Sequence, residues 1–216
     1  MVSVHLQGPQ WFFGADASLE AFAAVIAFCV AFASLRVYRV TREQKYGYFT
    51  ASMALLTLSF LARAITDTLL EELLFTVPSE LSGMIFFIGY VTHIILALVA
   101  YLILVIVTHK ITDKRIIFLL FLLTLPSLLI SGSYFLSFYG LSAILLAFTA
   151  FSYYQNYRKI CKASACLVFI AFLLLTISQV LFLLEAVYDP LYVGAHVTQA
   201  AGYLVLLFAL IKTLLK

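Results

Sequence analysis

Seven stretches of this chain, at about residues 17–38, 47–66, 83–107, 115–131, 134–155, 164–187 and 190–212, are apolar over the length needed to cross a bilayer. A helix rises 1.5 Å per residue, so a hydrocarbon core about 30 Å thick takes roughly 20 such residues. Lipid offers no hydrogen bonds to an open backbone, and unbroken apolar runs of this length satisfy theirs as helices. Composition agrees: of 216 residues 65% are hydrophobic and 11% charged, where a soluble domain has about a quarter charged. The expected fold is all-α, a polytopic membrane bundle of seven transmembrane helices forming a single integral membrane domain over residues 1–216. The fourth run is the shortest, and Pro126 is expected to kink it. The connection "TDTLLEELLFTVPSE" is long enough for a short amphipathic turn in the membrane interface, leucines down and Glu71 and Glu72 up.

Charge orients the bundle. Arg36, Arg39, Arg42 and Lys45 flank the first connection and Lys110, Lys114 and Arg115 the third. Arg158, Lys159 and Lys162 mark the fifth, and Lys212 and Lys216 the C-terminus. The alternate connections and the N-terminal segment lack Lys and Arg but hold Asp16, Glu71, Glu72, Glu80 and Asp189. The positive-inside rule then places the N-terminus outside and the C-terminus in the cytoplasm of a multi-pass cell-membrane protein. The N-terminus has no basic region of a signal peptide, and Trp11, Phe12 and Phe13 read as an interfacial aromatic anchor. A net charge of +3 spread over loops points to no nucleic-acid partner, and Cys29, Cys161 and Cys166 give neither a disulfide framework nor a zinc spacing.

Shifting the chain by 119 residues aligns Ala31-Phe32 with Ala150-Phe151, Tyr38-Arg39 with Tyr157-Arg158, and Thr57-Leu58-Ser59 with Thr176-Ile177-Ser178. Past the second helix of each unit the shift falls to 103 and pairs His93 with His196. The expected organisation is a 3+1+3 parallel repeat: repeat one about 17–107, a linker helix about 115–131, repeat two about 134–212, related by a pseudo-twofold axis along the membrane normal. This layout resembles the topology of the SWEET sugar transporters and PQ-loop proteins, which implies a solute-transporting bundle. Their Pro-Gln pair inside helices 1 and 5 is absent, since Pro9-Gln10 precedes helix 1. "GPQWFFGADASLEAF" with "RVYRVTREQKYGYF" is similar to uncharacterised archaeal seven-helix membrane proteins, a resemblance that implies the fold alone. A retinal pocket is not expected, because the helix-7 lysine, Lys212, is terminal and helix 3 has no carboxylate.

Counting along the helices puts His93 and His196 roughly 21–23 Å from the cytoplasmic edge, in the outer half of the core, with Ser59 and Ser178 at nearly the same depth. Arg63 lies one turn beyond Ser59, Asp67 one turn further, and Glu185 two turns beyond Ser178. Tyr90, His93, Ala97 and Tyr101 form one stripe on helix 3, and Tyr192, His196, Gln199 and Tyr203 its counterpart on helix 7. Polar stripes at this depth are expected to face the interior. Two matched imidazoles would ligate the iron of a b-type haem, with Arg63 on a propionate and Ser59, Ser178 and Gln199 around the site, for electron transfer or redox sensing with a redox partner. Alternatively, the same layer serves a small-solute or proton-coupled transporter, with Glu185 and Asp67 as relay carboxylates. A third reading is a receptor or scaffold module whose histidines only bond neighbouring helices. A homo-oligomer is compatible with each. Nothing points to hydrolysis: the histidines have no third partner and no carboxylate clearly at their depth, and no catalytic triad or phosphate loop is present.

Overall fold

The computed structural model describes residues 9–12, 14–73, 79–130 and 133–214. Among these residues there is no strand. A 3-10 turn, Gln10–Phe12, is followed by α1 (Ala15–Thr41), α2 (Gln44–Leu73), α3 (Ser79–Thr108), α4 (Lys114–Ile130), α5 (Tyr134–Ile160), α6 (Ala163–Leu184) and α7 (Leu191–Leu214). Six of them, all but α4, are long and apolar enough to cross a membrane, as an integral membrane protein requires. α4, at 17 residues, is about 26 Å long and falls short of a 30 Å core; the seven expected spans are thus six by this measure. Pro126 sits inside α4.

The helices run on beyond their apolar cores. Much of "TDTLLEELLFTVPSE" is not a separate interfacial turn, because α2 continues to Leu73. Carboxylates do not stop a helix, and no proline or glycine intervenes before Pro78. The rest of that connection, residues 74–78, lies outside the described residues. α1 and α5 stop alike. Arg42 and Cys161, 119 residues apart, adopt left-handed backbone (φ 57° and 51°), and the N–H of each donates to the carbonyl of Tyr38 or Tyr157 at 2.8 Å. Both helices have 27 residues, and α2 and α6 begin two residues after those turns.

The neighbour order is a ring. α1 packs on α2, α2 on α3, α3 on α5, α5 on α6, α6 on α7, and α7 returns to α1, while α4 leans on α3 and α5 from outside. On α1 size sorts most of the apolar residues between the inner and outer faces. On α1 the buried stripe is Ala23, Ala24, Ala27, Val30 and Ala31, whereas Phe22, Phe28 and Phe32 are exposed. Lipid solvates a phenyl ring as well as a protein core does, so on this helix the inner face can be given mostly to small side chains that let backbones approach. α2 and α3 approach closely at Gly89, where a Cβ would lie 1.9 Å from Thr66 Oγ1. Ser52 also donates to the Ala100 carbonyl across this pair at 2.9 Å.

Candidate functional site

The start of α1 brings two acids onto its inner stripe. Asp16 and Glu20 are one turn apart, and Glu20 is 0% exposed. Gly14, with φ 82°, turns the chain into α1 so that its N–H and that of Ala17 reach Asp16 Oδ1 at 3.0 and 2.8 Å. Opposite, α2 presents Arg63, 2% exposed. Its Nη1 lies 3.2 Å from Glu20 Oε1 and its Nε 3.8 Å from Asp67 Oδ2. Its Nη2 donates to the Tyr192 hydroxyl at 3.2 Å, and that hydroxyl donates to Asp16 Oδ2 at 3.2 Å. Tyr90 donates to Asp67 Oδ1 at 2.6 Å. The rings of Tyr90 and Phe182 lie 5.9 and 5.7 Å from the guanidinium carbon, within cation–π range. Side chains from α1, α2, α3, α6 and α7 thus converge on one buried cation.

The two histidines do different things. His93 Nδ1 is 2.8 Å from Ser59 Oγ and 3.1 Å from the Ser59 carbonyl, and Ser59 Oγ donates to the His93 carbonyl at 2.9 Å. The pattern is self-consistent when Nδ1 carries the ring proton; this is a clasp between α2 and α3. His196 instead directs Nδ1 toward Glu20 Oε1 at 3.6 Å, across the α7–α1 contact. No hydrogen bond reaches its Nε2 or either oxygen of Glu20. Ser178 turns back to the Leu175 carbonyl of its own helix at 2.8 Å and does not join His196. Phe12, expected with Trp11 and Phe13 as an interfacial anchor, is buried, its ring 5.8 Å from His196 and 6.0 Å from Tyr192. Only Trp11 is exposed, and Phe13 lies outside the described residues.

A cavity of about 10 Å3 lies within the ring beside Arg63, lined by His93, Gln179, Gln199 and Tyr139 and by the rings of Phe60, Phe138 and Phe182 among others. It has room for about one water. A site for a molecule of drug or cofactor size occupies on the order of 300 Å3 or more. His93 and His196 are wedged among aromatic rings, the nearest at 5.4 and 4.5 Å, and Arg63 is engaged by Glu20, Tyr192 and Asp67. The residues as packed do not fit a haem between the two imidazoles. Among the described residues no group of three His, Cys, Asp or Glu side chains suits a metal ion.

Of the residues expected at the site, Arg63, Asp67 and His196 join one network. Ser59 and His93 pair beside it, and Gln199 lines the cavity. Glu185, buried at the end of α6, has its carboxyl pushed up to about 7 by burial, with Asp189 adding and the Arg63 charge opposing. The reading that no carboxylate stands at the histidines' depth is overturned by Glu20, 3.6 Å from His196. Glu20 was legible as the carboxylate on the alanine stripe of α1, as was Gln179 as an amide in the apolar run of α6. No family model, curated protein or solved structure matches this chain.

Proposed function

We propose that this chain is a multi-pass membrane protein that moves a small solute together with protons, and that the Arg63 cluster is its coupling site. The observation that carries this reading is the position of Glu20: fully buried, without a hydrogen bond, and set between Arg63 on α2 and His196 on α7. Three buried carboxylates, Asp16, Glu20 and Asp67, surround one guanidinium. An uncompensated charge among apolar helices is strongly unfavourable, so such a cluster holds protons or takes up a cation. A proton exchanged at Glu20 alters a contact on the seam where α1 meets α7, which is where two helix triplets would rock against each other.

Further support comes from the ring itself. A twofold axis that exchanges α1, α2, α3 with α5, α6, α7 turns the α3–α5 contact into the α7–α1 contact, and both exist. The matched ends of α1 and α5 agree with duplication, and peripheral α4 agrees with a linker, in this reading the seventh span. With the basic ends cytoplasmic, the cluster lies in the outer half of the bilayer. Below it the interior is closed by Met53, Leu98, Leu102, Leu146, Phe172 and Leu206, so the bundle is sealed toward the cytoplasm. The test is charge movement in proteoliposomes on a solid-supported membrane after a pH jump with no solute added, so that a proton binds without a compensating anion. Wild type should give a transient current that Glu20→Gln removes. A current of unchanged size in Glu20→Gln combined with His196→Ala sinks the proposal.

A further inference from the structure

Among the described residues the carboxylates of the cluster do not line the central cavity; Arg63 does, and it is the only permanently charged group there. Around the same space stand two buried amides, Gln179 and Gln199, and the Tyr139 phenol, drawn from α6, α7 and α5. Gln179 is 4% exposed and its Oε1 has no hydrogen-bond partner. A buried amide oxygen left unpaired costs on the order of 1–3 kcal/mol, and turning the amide over presents N–H to the cavity instead. A guanidinium, amide N–H groups and a phenol O–H, backed by the rings of Phe60, Phe138 and Phe182, form a donor set for an anion with a short apolar tail.

We infer that the cavity is a binding site for a short-chain monocarboxylate, which replaces Glu20 as the partner of Arg63 when Glu20 takes up a proton. This rests on the proton-coupled reading and names its solute. The exchange balances. Glu20 passes from carboxylate to carboxylic acid, the solute brings one negative charge, Arg63 keeps its own, and the net charge of the cluster does not change. Proton and anion are therefore loaded together. The void now takes about one water, so admission of the solute requires the Phe182 ring, which also covers Arg63, to swing aside. The groups bearing on Glu20 are Asp16 from its own helix, Arg63 and Asp67 from α2, Tyr101 from α3, Tyr139 from α5, and His196 and Tyr203 from α7.

The test is lactate binding to the purified full chain in detergent, by calorimetry at about pH 5.5 and about pH 8. Wild type should bind at least tenfold more tightly at the lower pH, equivalent to about 1.4 kcal/mol. Glu20→Gln, which fixes the uncharged form, should bind with the same affinity at both. Gln199→Leu, which leaves the ion pairs in place, should weaken binding about fivefold or more, while Arg63→Gln should abolish it. No lactate binding by wild type at either pH overturns the inference, as does a Glu20→Gln protein that keeps the wild-type pH dependence. If the pH-jump current depends on Glu20 but lactate does not bind, this inference falls and the proton-coupled reading stands. If lactate binds with the expected dependence but a lactate gradient drives no proton uptake into proteoliposomes, read with a trapped pH dye, the site stands and transport falls.

Discussion

In the proposed repeat His93 on α3 and His196 on α7 are counterparts, each the third helix of a triplet, yet their surroundings differ. His93 is bonded at Nδ1 to the serine one helix away, Ser59. Its counterpart faces a carboxylate from the other triplet, while the serine that matches Ser59 bonds its own backbone. The rest of the site follows the same division. At the positions that the proposed 119-residue shift pairs with Glu20, Arg63 and Asp67 stand Tyr139, Phe182 and Ala186. One triplet therefore carries the charge, and the other mainly supplies phenols, amides and phenyl rings that enclose it. Residues that the proposed repeat pairs therefore share a position in the ring and not a task.

The sharpest way to break that division is to remove its cation. Arg63→Ala leaves Glu20 and Asp67 facing each other in an apolar interior, and truncating one partner of a buried ion pair costs about 3–5 kcal/mol. The expected outcome is a fall in the thermal unfolding midpoint in detergent of roughly 10 °C, largely recovered by adding Glu20→Gln to the same protein. Phe182→Ala, the matching position in the second triplet, should lower the midpoint without recovery by Glu20→Gln. Equal recovery in both would show that charge is not what separates the triplets.

Next in size is the closeness of the helices. Gly89→Ala would place a Cβ 1.9 Å from Thr66 Oγ1, a hydroxyl already donating to the Ala62 carbonyl at 2.7 Å. At Gly202 the nearest atom is Leu175 Cδ2 at 2.9 Å, the end of a flexible side chain. Overpacking costs about 1–3 kcal/mol, so Gly89→Ala should fall at the upper end and Gly202→Ala at the lower. Unfolding midpoints of the two variants side by side decide it.

Much of this architecture could be read from the residues, for reasons that also explain the failures. Apolar length located the helices because lipid imposes it, and basic residues bounded them on one side. Helix ends on the acidic side were misjudged at α2, where Asp67, Glu71 and Glu72 resembled a loop although nothing in them breaks a helix. Arg63, His93 and His196 stood out as ionisable groups in apolar runs. Glu20 did not, because it lies near the start of its run, where a charge is ordinarily solvated by headgroups. Its burial depends on the ring closing α7 over it, which the length of the apolar run does not show. The alanines at 23, 24, 27 and 31 mark that inner face, and Glu20 lies on their line.

The clasp on His93 gives a smaller and more specific effect. Ser59→Ala and His93→Ala each remove a buried pair of hydrogen bonds and should cost about 1–3 kcal/mol. A double-mutant cycle should show a coupling of about 1 kcal/mol that does not change between pH 6 and pH 8. The corresponding cycle on Ser178 and His196 should show none. A coupling there as large as the first would mean that the two serine–histidine pairs are equivalent at this layer.

The smallest expected effect lies at the edge of the second triplet, where its one buried acid stands. Glu185 holds its proton up to about pH 7 in the folded chain, against an ordinary carboxyl value of 4.5. The folded protein therefore binds more protons than the unfolded one between those values, and stability falls as pH rises through that window. The sign is fixed by burial, which outweighs the opposing pull of Arg63. Glu185→Gln should leave the unfolding midpoint unchanged near pH 4.5 and raise it by a few degrees near pH 8, flattening the profile between. If the variant instead loses stability at pH 8, Glu185 is held as a carboxylate by Arg63, and the second triplet shares the charge after all.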